Sequence, residues 1–575
     1  PYLTGKLAAG YIRGAESTGV STSLKHFAFN SQEYKRFSSD SVIDERTMRE
    51  LYLAGFELAV KEGEPSTVMC AYNKINGEHC SDSKMLLTGI LRDEWGFGGM
   101  VVTDWGAMSD RLKGFAAGCD LNMPGGSAYM EKEAARAVRD GTLSETDIDR
   151  CAMRVLRLMK KGIAAIKDAR PVDMEAHYAL ARRAAAESAV LLKNEGNILP
   201  LIGENDVVFI GHMAKELRYQ GAGSSHINPW KLTNVLDACP DVPYAEGCDA
   251  DGNTTETLLA EAVRAAKEAK TAVVFAGLTD KYESEGFDRE NMKMPEGHNR
   301  LIEAVAAANP NTVVVLLCGS AVELPWADKV KGILYMGLSG EAGGDAICDL
   351  LFGRAVPCGK LAESWPLHYE DCVTSAYYAH GRKDAHYREG LYVGYRYYAT
   401  AGVPVRYPFG HGLSYTTFAY SNLKIGGDKV TCTVTNTGVV AGKEIVQLYI
   451  APPKGPLYRP VRELKGFRKV ALEPGESKNI TFRLDDRSFA VWNGGWVIPG
   501  GRYTILVGGS SETLPLSGEI VQPETTLTAP NVPTWYFAPK GAPGHGDFEA
   551  LVGHSVAEKP LKKGQFTMDN TVMEM

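Results

Sequence analysis

The chain has 575 residues, several times the ~100–200 of one domain, so the sequence predicts two to four domains. Hydrophobic residues make up 44% and charged residues 23%, which excludes disordered, collagen-like and small disulfide-stapled classes. The 62 basic and 70 acidic side chains give a net charge of −8 without a basic run, so nucleic acid is not an expected partner. No apolar stretch reaches roughly 18 residues, so we expect no membrane span.

The first part of the chain alternates short β-rich runs with amphipathic helical stretches. The β-rich runs cover residues 21–27, 66–72, 99–104 and 118–123. Between the first two runs, apolar side chains recur at every fourth position, which predicts a helix with one buried face. These side chains are Met48, Tyr52, Phe56 and Val60. Repeated β-then-α units predict parallel strands joined by helical crossovers.

Each of these runs ends in polar side chains, which is how a (β/α) barrel presents its active face. The strand-end residues are Lys25, His26, Tyr72, Asn73, Asp104, Trp105 and Asp120. A complete barrel needs eight units and ~250 residues. We therefore expect residues 1–165 to be the C-terminal half of a (β/α)8-type barrel, with its first half before Pro1.

A second α/β region follows a linker that the sequence places at residues 166–183. The region 184–415 is expected to open with a helix around 184–192. Its strands are predicted at 206–211, 271–276, 312–317 and 332–336. Because these runs are apolar almost throughout, they predict a mostly parallel sheet covered by helices on both faces, which is an α/β sandwich.

After this region the pattern changes to alternation of polar and apolar residues without helices. Strands are predicted at 430–434, 444–450, 478–482 and 502–507, with turn signals between them. Residues 416–522 therefore predict a β-sandwich. Residues 523–575 are rich in Pro, Gly and charge and lack periodicity, which predicts a tail over the surface.

The eleven cysteines are scattered without C-x-x-C pairs or histidine companions. This pattern argues against a zinc site and a complete disulfide framework, so most are expected to be free thiols. Free thiols favour a reducing compartment, but the chain starts at Pro1 and the sequence leaves secretion open. No ligand cluster stands out, so we expect no metal and no organic cofactor. The oligomeric state is left open, with a homo-oligomer as one option.

The chemistry-bearing residues each have an ordinary structural interpretation. Asp104 ends an apolar run and precedes Trp105, and an aspartate there is commonly a turn or helix-cap residue. Alternatively, it is a carboxylate at a barrel mouth, with the indole placed to stack on a sugar. A lone lysine or histidine is usually a surface or satisfied core group, yet adjacent donors at a strand end would suit vicinal hydroxyls. The residues alone leave both interpretations open.

A set of ordered motifs resembles the successive signatures of glycoside hydrolase family 3. The motifs are Lys25 to Phe27, Asn30 to Glu33, Asp44 to Arg46, Met69 to Asn73 with Asn76 and Gly77, Thr103 to Ala107, Gly118 to Pro124, Ser188 to Asn194 and Glu283 to Arg289. The similarity extends to about residue 510, and several motifs in order are far more specific than any one of them. It implies that the predicted β-sandwich is a fibronectin type III-like domain.

The resemblance implies a retaining, exo-acting β-glucosidase. Such an enzyme releases terminal nonreducing β-D-glucose from β-glucosides and cello-oligosaccharides, which are small-molecule substrates, through a covalent glycosyl-aspartate. By motif match, Asp104 is the expected nucleophile and Glu285 the expected acid/base. The same match implies that the terminal sugar is held by Lys25, His26 and Tyr72, with Trp105 stacked on it.

A retaining glycosidase needs one ionised and one protonated carboxyl, about 5–5.5 Å apart. We expect desolvation to raise the pKa of Glu285, while donors such as Lys25 keep Asp104 ionised. Glu283 is the rival acid, because side chains at i and i+2 of an extended loop point the same way. Glu285 is favoured because it matches the family glutamate immediately before the glycine.

Other functions agree less well with the residues of this sequence. The nearest rival is a β-xylosidase or mixed-specificity β-glycosidase of the same family. A noncatalytic sugar-binding protein would be expected to lack Asp104 or Glu285, and both are present. A β-N-acetylglucosaminidase branch uses a His-Asp pair on a barrel loop, and no such histidine follows His26 in the same motif. The glycines at 221 and 223 lack the third glycine of a dinucleotide loop, which disfavours a dehydrogenase.

Overall fold

The computed structural model describes residues 1–167, 169–203, 206–378, 383–525, 527–529 and 531–556. The first region contains helices α1 (Tyr2–Glu16), α2 (Glu45–Thr47), α3 (Leu53–Gly63), α4 (Arg111–Ala117), α5 (Ala128–Arg139) and α6 (Glu145–Lys167), with π-helical segments at Met48–Tyr52 and Met85–Glu94. Its strands are β1 (Ser23–Phe27), β2 (Asp40–Val42), β3 (Thr67–Cys70), β4 (Lys74–Ile75), β5 (Glu78–His79) and β6 (Met100–Thr103).

Strands β1, β3 and β6 form a parallel sheet in that order, as the repeated β-then-α pattern predicts. The predicted helix between the first two strands is present as α2, the π-helical segment and α3. Met48 and Val60 on its inner face are buried, with Tyr52 and Phe56 packed against the same core. The helical crossover therefore covers the sheet that carries the strand ends.

The predicted fourth strand at 118–123 is wrong. It is reduced to one parallel bridge between Leu121 and Val102. Gly118, in the left-handed region at φ 87°, ends helix α4, and Pro124 follows a few residues later, so little chain is left to pair. Helix α1 was not predicted from the sequence, and its Gly5 lies close against Leu58 of α3.

The second region contains helices α7 (Met174–Ser188), α8 (Val235–Ala238), α9 (Glu256–Glu268), α10 (Glu296–Ala308), α11 (Gly343–Leu351) and α12 (Tyr395–Ala401). Its strands are β7 (Val190–Asn194), β8 (Val207–Ile210), β9 (Tyr244–Ala245), β10 (Thr271–Gly277), β11 (Thr312–Leu317), β12 (Gly332–Tyr335), β13 (Trp365–Pro366), β14 (Ala385–His386) and β15 (Val405–Tyr407). Short 3₁₀ turns lie at Glu195–Asn197, His212–Ala214, Ala327–Lys329 and Tyr369–Asp371.

The main sheet of this region has the order β7-β12-β11-β10-β8-β9 and is parallel except for β7. Neighbouring side chains of β10 enter opposite cores, with Val274 in one and Val273 and Phe275 in the other. Burial on both faces explains the continuous apolar runs. The predicted helix around 184–192 ends at Ser188, and its last residues form β7 instead, because a short apolar run fits either structure.

The third region is a β-sandwich with sheets β16-β17-β20 and β19-β18-β23-β24. Its strands are β16 (Phe418–Gly426), β17 (Lys429–Asn436), β18 (Gly442–Ala451), β19 (Glu463–Leu472), β20 (Ser477–Arg483), β21 (Val491–Trp492), β22 (Trp496–Val497), β23 (Gly501–Gly508) and β24 (Leu516–Gln522), with a 3₁₀ turn at Asp486–Ser488. Alternate side chains such as Val430, Cys432 and Val434 face the core, as the alternating pattern predicts.

The predicted surface tail differs from the structure in its described part. A 3₁₀ turn at Thr534–Phe537 and helix α13 (His545–Val552) pack on the second region and bury Tyr536 and Phe548 completely. Tyr536 lies in a run of three consecutive aromatic residues at 535–537 and Phe548 in a helix of eight residues, so neither follows the period of a long helix or strand. Residues 557–575 of the predicted tail lie outside the described residues.

One strand of the second region joins a sheet of the first. β14 pairs in parallel with β2, matching Ala385 with Ser41, in the sheet β14-β2-β4-β5. The adjacent Tyr387 is buried in the core of the first region, and its hydroxyl donates to the Phe29 carbonyl over 2.8 Å. The first two regions therefore share backbone pairing and core side chains.

None of the eleven cysteines, all of which lie in the described ranges, forms a disulfide, and ten of them are buried. Across the described ranges, no helix combines the length and apolar character needed to cross a bilayer.

Two of the strand-end residues have structural roles. The Asp120 carboxylate is fully buried and accepts hydrogen bonds from Arg92 and Arg154, each over 2.9 Å, and from the Val101 N–H over 2.7 Å. It fastens the second π-helical segment and α6 to β6. Buried Asn73 donates to the Ala28 carbonyl over 3.2 Å.

We expect Asp120→Asn to lower the free energy of unfolding by ~3–5 kcal/mol, because both arginines lose their carboxylate in a buried place. The shift of the urea unfolding midpoint, followed by tryptophan fluorescence, measures this. Asp328→Asn is the matched control, since its pair with Arg406 is exposed and should contribute less than about 1 kcal/mol. Equal midpoints for the two variants would contradict the role given to Asp120.

Candidate active site

The candidate site lies where three parallel strands of the first region end. The register pairs Phe27 of β1 with Cys70 of β3, and Cys70 with Thr103 of β6. These strands run in the same direction, with an irregularity in β1 between Leu24 and Phe27, so the residues beside the paired positions lie at one edge of the sheet. The chemistry-bearing residues at this edge are Lys25, His26, Tyr72, Asp104 and Trp105.

Asp104 is fixed through both its backbone and its side chain. Its N–H donates to the Cys70 carbonyl over 3.0 Å. Oδ1 accepts the Trp105 N–H over 2.7 Å, and Oδ2 lies 3.2 Å from His26 Nε2. The side chain is only 14% exposed. One oxygen is thus held by the backbone, and the other faces the imidazole.

His26 lies between Asp104 and the exposed Lys25. Burial lowers the pKa of His26, and the Asp104 carboxylate opposes this effect without cancelling it. The positive charge of Lys25 lowers the pKa of His26 further. At neutral pH the ring is therefore uncharged and places no positive charge beside Asp104.

Tyr72 and Trp105 give the site its aromatic walls. Tyr72 is buried against Phe37, with 4.2 Å between ring centroids. Burial and then the negative charge of Asp104 raise the pKa of Tyr72 to about 12, so its hydroxyl stays a donor at neutral pH. Trp105 is 62% exposed, which leaves much of the indole open to solvent beside the carboxylate.

Glu285 comes from the second region, in the loop that follows β10. Its Oε2 accepts the Ser224 N–H over 2.6 Å, and its Oε1 accepts from Arg36 Nη1 of the first region over 3.0 Å. Hydrogen bonds from the Ser224 hydroxyl and N–H, and then Arg36, lower the pKa of Glu285 to about 2. Desolvation raises the pKa of Glu285 as expected, but these donors outweigh it at a side chain that is 31% exposed, so the net shift is opposite to the expected one.

Two loops interlock to bring Glu285 to the first region. Asp288 accepts the N–H groups of Glu33 over 2.8 Å and Tyr34 over 2.9 Å, and the Tyr378 hydroxyl over 3.0 Å. In return, the Gly286 N–H donates to Glu33 Oε2 over 3.1 Å. The residue directly after Glu285 is therefore tied to the loop that follows β1.

Asp104 and Glu285 both influence the pKa of His26. The charges of Asp104 and Glu285 each raise the pKa of His26, against the larger effect of burial. Both also act on the Tyr72 hydroxyl. The contacts agree with this, since Arg36, which binds Glu285, lies over the ring of Tyr72, so the Glu285 loop meets the strand ends that carry Asp104.

Glu283, the rival, points elsewhere. Its Oε2 accepts the Gly319 N–H over 2.8 Å and its Oε1 the Ser320 hydroxyl over 2.6 Å. Arg289 reaches the same loop, donating to Ser320 over 2.7 Å. Glu283 and Arg289 thus organise the loop after β11 within the second region.

Sequence reasoning missed Arg36 and Ser224, which hold Glu285. Arg36 lies three residues after Glu33 in a loop, and an exposed-looking Glu-Arg pair is ordinary in sequence. Ser224 acts partly through its backbone N–H, which no residue type reveals. Over the residues that the structure places, no group of three or more His, Cys, Asp or Glu side chains is arranged to hold a metal ion.

Family models match most of the chain. Residues 1–158 match the glycosyl hydrolase family 3 N-terminal domain, 189–415 the glycosyl hydrolase family 3 C-terminal domain, and 444–511 a fibronectin type III-like domain. The matched ranges include both loops that meet at the candidate site.

Named relatives agree with the family models. Thermostable beta-glucosidase B of Acetivibrio thermocellus is 47% identical over 542 residues, covering 90% of this chain and 71% of that protein. An exo-alpha-(1->6)-L-arabinopyranosidase of Bifidobacterium longum is 44% identical over 538 residues, covering 89% of this chain and 71% of that protein.

Solved structures share the fold. The Bifidobacterium adolescentis GH3 beta-glucosidase superimposes with a TM-score of 0.88 at 44% identity, covering 91% of this chain and 79% of that one. Beta-glucosidase 3B from Thermotoga neapolitana, in complex with alpha-D-glucose, gives 0.83 at 33% identity, covering 90% and 79%. With the family models, the identity and the shared fold in agreement, this chain belongs to glycoside hydrolase family 3.

Proposed function

We propose that this protein is an exo-acting, retaining β-glucosidase that releases terminal nonreducing β-D-glucose from β-glucosides and cello-oligosaccharides. The observation that carries the proposal is that Asp104, 3.2 Å from His26 at the sheet edge, and Glu285 of the second region lie around the same strand ends, because Arg36 binds Glu285 over 3.0 Å and lies over the Tyr72 ring. Similarity to relatives named as beta-glucosidases, at up to 47% identity, supports the substrate class.

In the first step, an Asp104 oxygen forms a bond to the anomeric carbon while the glycosidic C–O bond breaks. The Glu285 carboxyl transfers its proton to the departing oxygen, and the glycosyl-Asp104 ester forms. The Trp105 N–H, which donates to Oδ1, and neutral His26, whose Nε2 lies 3.2 Å from Oδ2, orient the nucleophile without neutralising its charge. This orientation favours in-line attack.

In the second step, Glu285 is a carboxylate and takes a proton from water. The water oxygen bonds to the anomeric carbon, and the bond to Asp104 breaks, which restores both carboxyl groups and retains the β configuration. The hydrogen bonds from Ser224 and Arg36 favour the ionised form of Glu285 that this step requires.

The remaining site residues are proposed to hold the terminal sugar. Tyr72, protonated at neutral pH, and the exposed Lys25 would donate to hydroxyls. The exposed indole of Trp105 would stack on the apolar face of the ring. Hydrogen bonds to sugar hydroxyls that strengthen in the transition state supply several kcal/mol in such enzymes.

A second candidate activity is hydrolysis of α-L-arabinopyranosides. It is favoured by the 44% identity to the Bifidobacterium longum enzyme with that name. An α-L-arabinopyranoside presents an equatorial anomeric bond like a β-D-glucoside, so the same two carboxylates would serve it. The β-xyloside alternative has the same anomeric geometry and belongs in the same test.

The substrate proposal is tested with p-nitrophenyl β-D-glucoside, β-D-xyloside, α-L-arabinopyranoside and β-N-acetylglucosaminide. We expect the highest kcat/KM on the β-glucoside, with release of single glucose units from cellotriose. A higher kcat/KM on the arabinopyranoside would favour the second candidate. Absence of turnover on all four, in protein that binds glucose, would favour the noncatalytic alternative.

Asp104→Asn should lower kcat/KM by roughly 10⁴-fold or more, because the amide is a poor nucleophile. Mass spectrometry after incubation with an activated 2-deoxy-2-fluoro-glucoside should find the covalent adduct in the unchanged protein and none in the variant. Asp110→Asn is the control, since that carboxylate caps helix α4 in the same loop. Turnover near normal in Asp104→Asn would refute the nucleophile assignment.

Glu285→Ala should lose roughly 10²–10⁴-fold on substrates with poor leaving groups and much less on a dinitrophenyl glucoside, which departs without a proton. Azide should restore turnover of the dinitrophenyl substrate and yield β-glucosyl azide, identified by mass spectrometry and NMR. Glu283→Ala is the matched control from the same loop. If only the Glu283 variant responds to azide, the acid/base has been misassigned.

A further inference from the structure

Arg36 lies between the two halves of the site, and the function described so far uses it only as one of the donors that favour the ionised form of Glu285. Through the same Nη1 it donates to Glu285 Oε1 over 3.0 Å and to Glu33 Oε2 over 2.8 Å. Its guanidinium also lies over the Tyr72 ring, 4.9 Å from the centroid. A single cation from the loop after β1 therefore contacts a residue beside the nucleophile and the expected acid/base itself.

The two chemical steps make opposite demands on Glu285. It must carry a proton in the first step and be a carboxylate in the second. A guanidinium in contact favours the carboxylate, so the ligand-free arrangement suits the second step. A device that lets Glu285 take up a proton must weaken this contact without leaving Arg36 as an unpaired charge.

Glu33 meets that requirement. It is the second carboxylate within reach of Arg36, and the Gly286 N–H also donates to its Oε2. The backbone beneath Glu33 is fixed by Asp288. Arg36 thus keeps Glu33 as a partner on its own loop when Glu285 is protonated. Glu33 also remains bound to the Glu285 loop through the Gly286 N–H.

We propose that Arg36 is a positioning residue that holds Glu285 over the sheet edge as the base of the second step, and that Glu33 takes over the pairing when Glu285 carries its proton. This inference rests on the proposed function and assigns to two further residues the control of its acid/base. Arg36 acts through Glu285 and does not itself touch the reacting atoms.

The charged, titratable and hydrogen-bonding groups around Glu285 come from the first region, from the loop after β8 and from its own loop. The groups are Arg36, Glu33, His26 and Tyr72 from the first region, Ser224 from the loop after β8, and Glu283 and Asp288 from its own loop. Burial lowers the pKa of His26, and burial raises that of Tyr72, so both are uncharged at neutral pH. Glu283 and Asp288 are engaged by N–H and hydroxyl donors on other segments. Arg36 is the full positive charge among the groups that lower the pKa of Glu285.

The test uses Arg36→Gln and Glu33→Gln, because the proposal predicts that they shift the pKa of Glu285 in opposite directions. Without Arg36, Glu285 should hold its proton to higher pH, and the basic limb of the kcat/KM profile should move up by about one pH unit or more. Without the Glu33 carboxylate, Arg36 has only Glu285 as a carboxylate partner and lowers its pKa further, so the same limb should move to lower pH. A purely structural contact between the loops predicts the same direction for both, or a uniform loss at every pH.

The leaving-group dependence gives a second measurement. With a dinitrophenyl glucoside the second step limits turnover, so Arg36→Gln should lower kcat about tenfold with a smaller effect on kcat/KM. Azide, which needs no base, should restore much of that kcat. Arg36→Lys keeps the charge and should give a profile close to that of the unchanged enzyme. Arg300→Gln, which breaks an exposed 2.8 Å pair with Glu256, is the matched control and should change nothing.

The double variant Arg36→Gln/Glu285→Ala separates this inference from the proposed function. If Arg36 acts through Glu285, adding Arg36→Gln to Glu285→Ala should change azide-supported turnover by less than about twofold. Full additivity of the two losses, with Glu285→Ala itself responding to azide, would overturn the role of Arg36 and leave the proposed function standing. Failure of Glu285→Ala to respond to azide would overturn the proposed function. Circular dichroism and urea midpoints confirm that each variant is folded.

Discussion

The contact between the loop after β1 and the loop after β10 is the constraint on which the site depends. The strand ends fix Asp104 and His26, but Glu285 belongs to another region and reaches them only because Asp288 binds two backbone N–H groups of the first region. Hydrogen bonds to a carboxylate are directional and short, so they fix position as well as proximity. The pairing of β14 with β2 is a second contact that holds the first two regions together.

Much of the site was predictable because parallel strands place their ends at one edge. His26, Tyr72 and Asp104 lie at the ends of β-rich runs, and that position predicts that they share one edge of the sheet. The ionisation of Glu285 was not predictable in the same way. It depends on a backbone N–H from Ser224 and on Arg36, and neither the distance nor the direction of such donors is written in residue type.

The fold follows the same division. Continuous apolar runs predicted β10 and β11 because a strand buried on both faces must be apolar on both. The strand predicted at 118–123 is absent. These residues form a single bridge to β6 instead, and the buried Asp120 carboxylate, which accepts the Val101 N–H, holds them there. The packing of the C-terminal segment was not predicted because the consecutive aromatic residues at 535–537 follow no helical or strand period, although Tyr536 among them is completely buried.

The packing of this segment has a consequence for the order of events during protein synthesis. The Tyr536 hydroxyl donates to the Arg388 carbonyl over 2.9 Å, two residues after β14, and Phe548 seals the same surface. Chains leave the ribosome from the amino end, so the loop with Glu33 and Arg36 emerges hundreds of residues before the aromatic groups that brace its supporting strand. A nascent chain would carry every proposed catalytic side chain and still lack these packing contacts, which delays the finished active site until residues 536–548 have been translated.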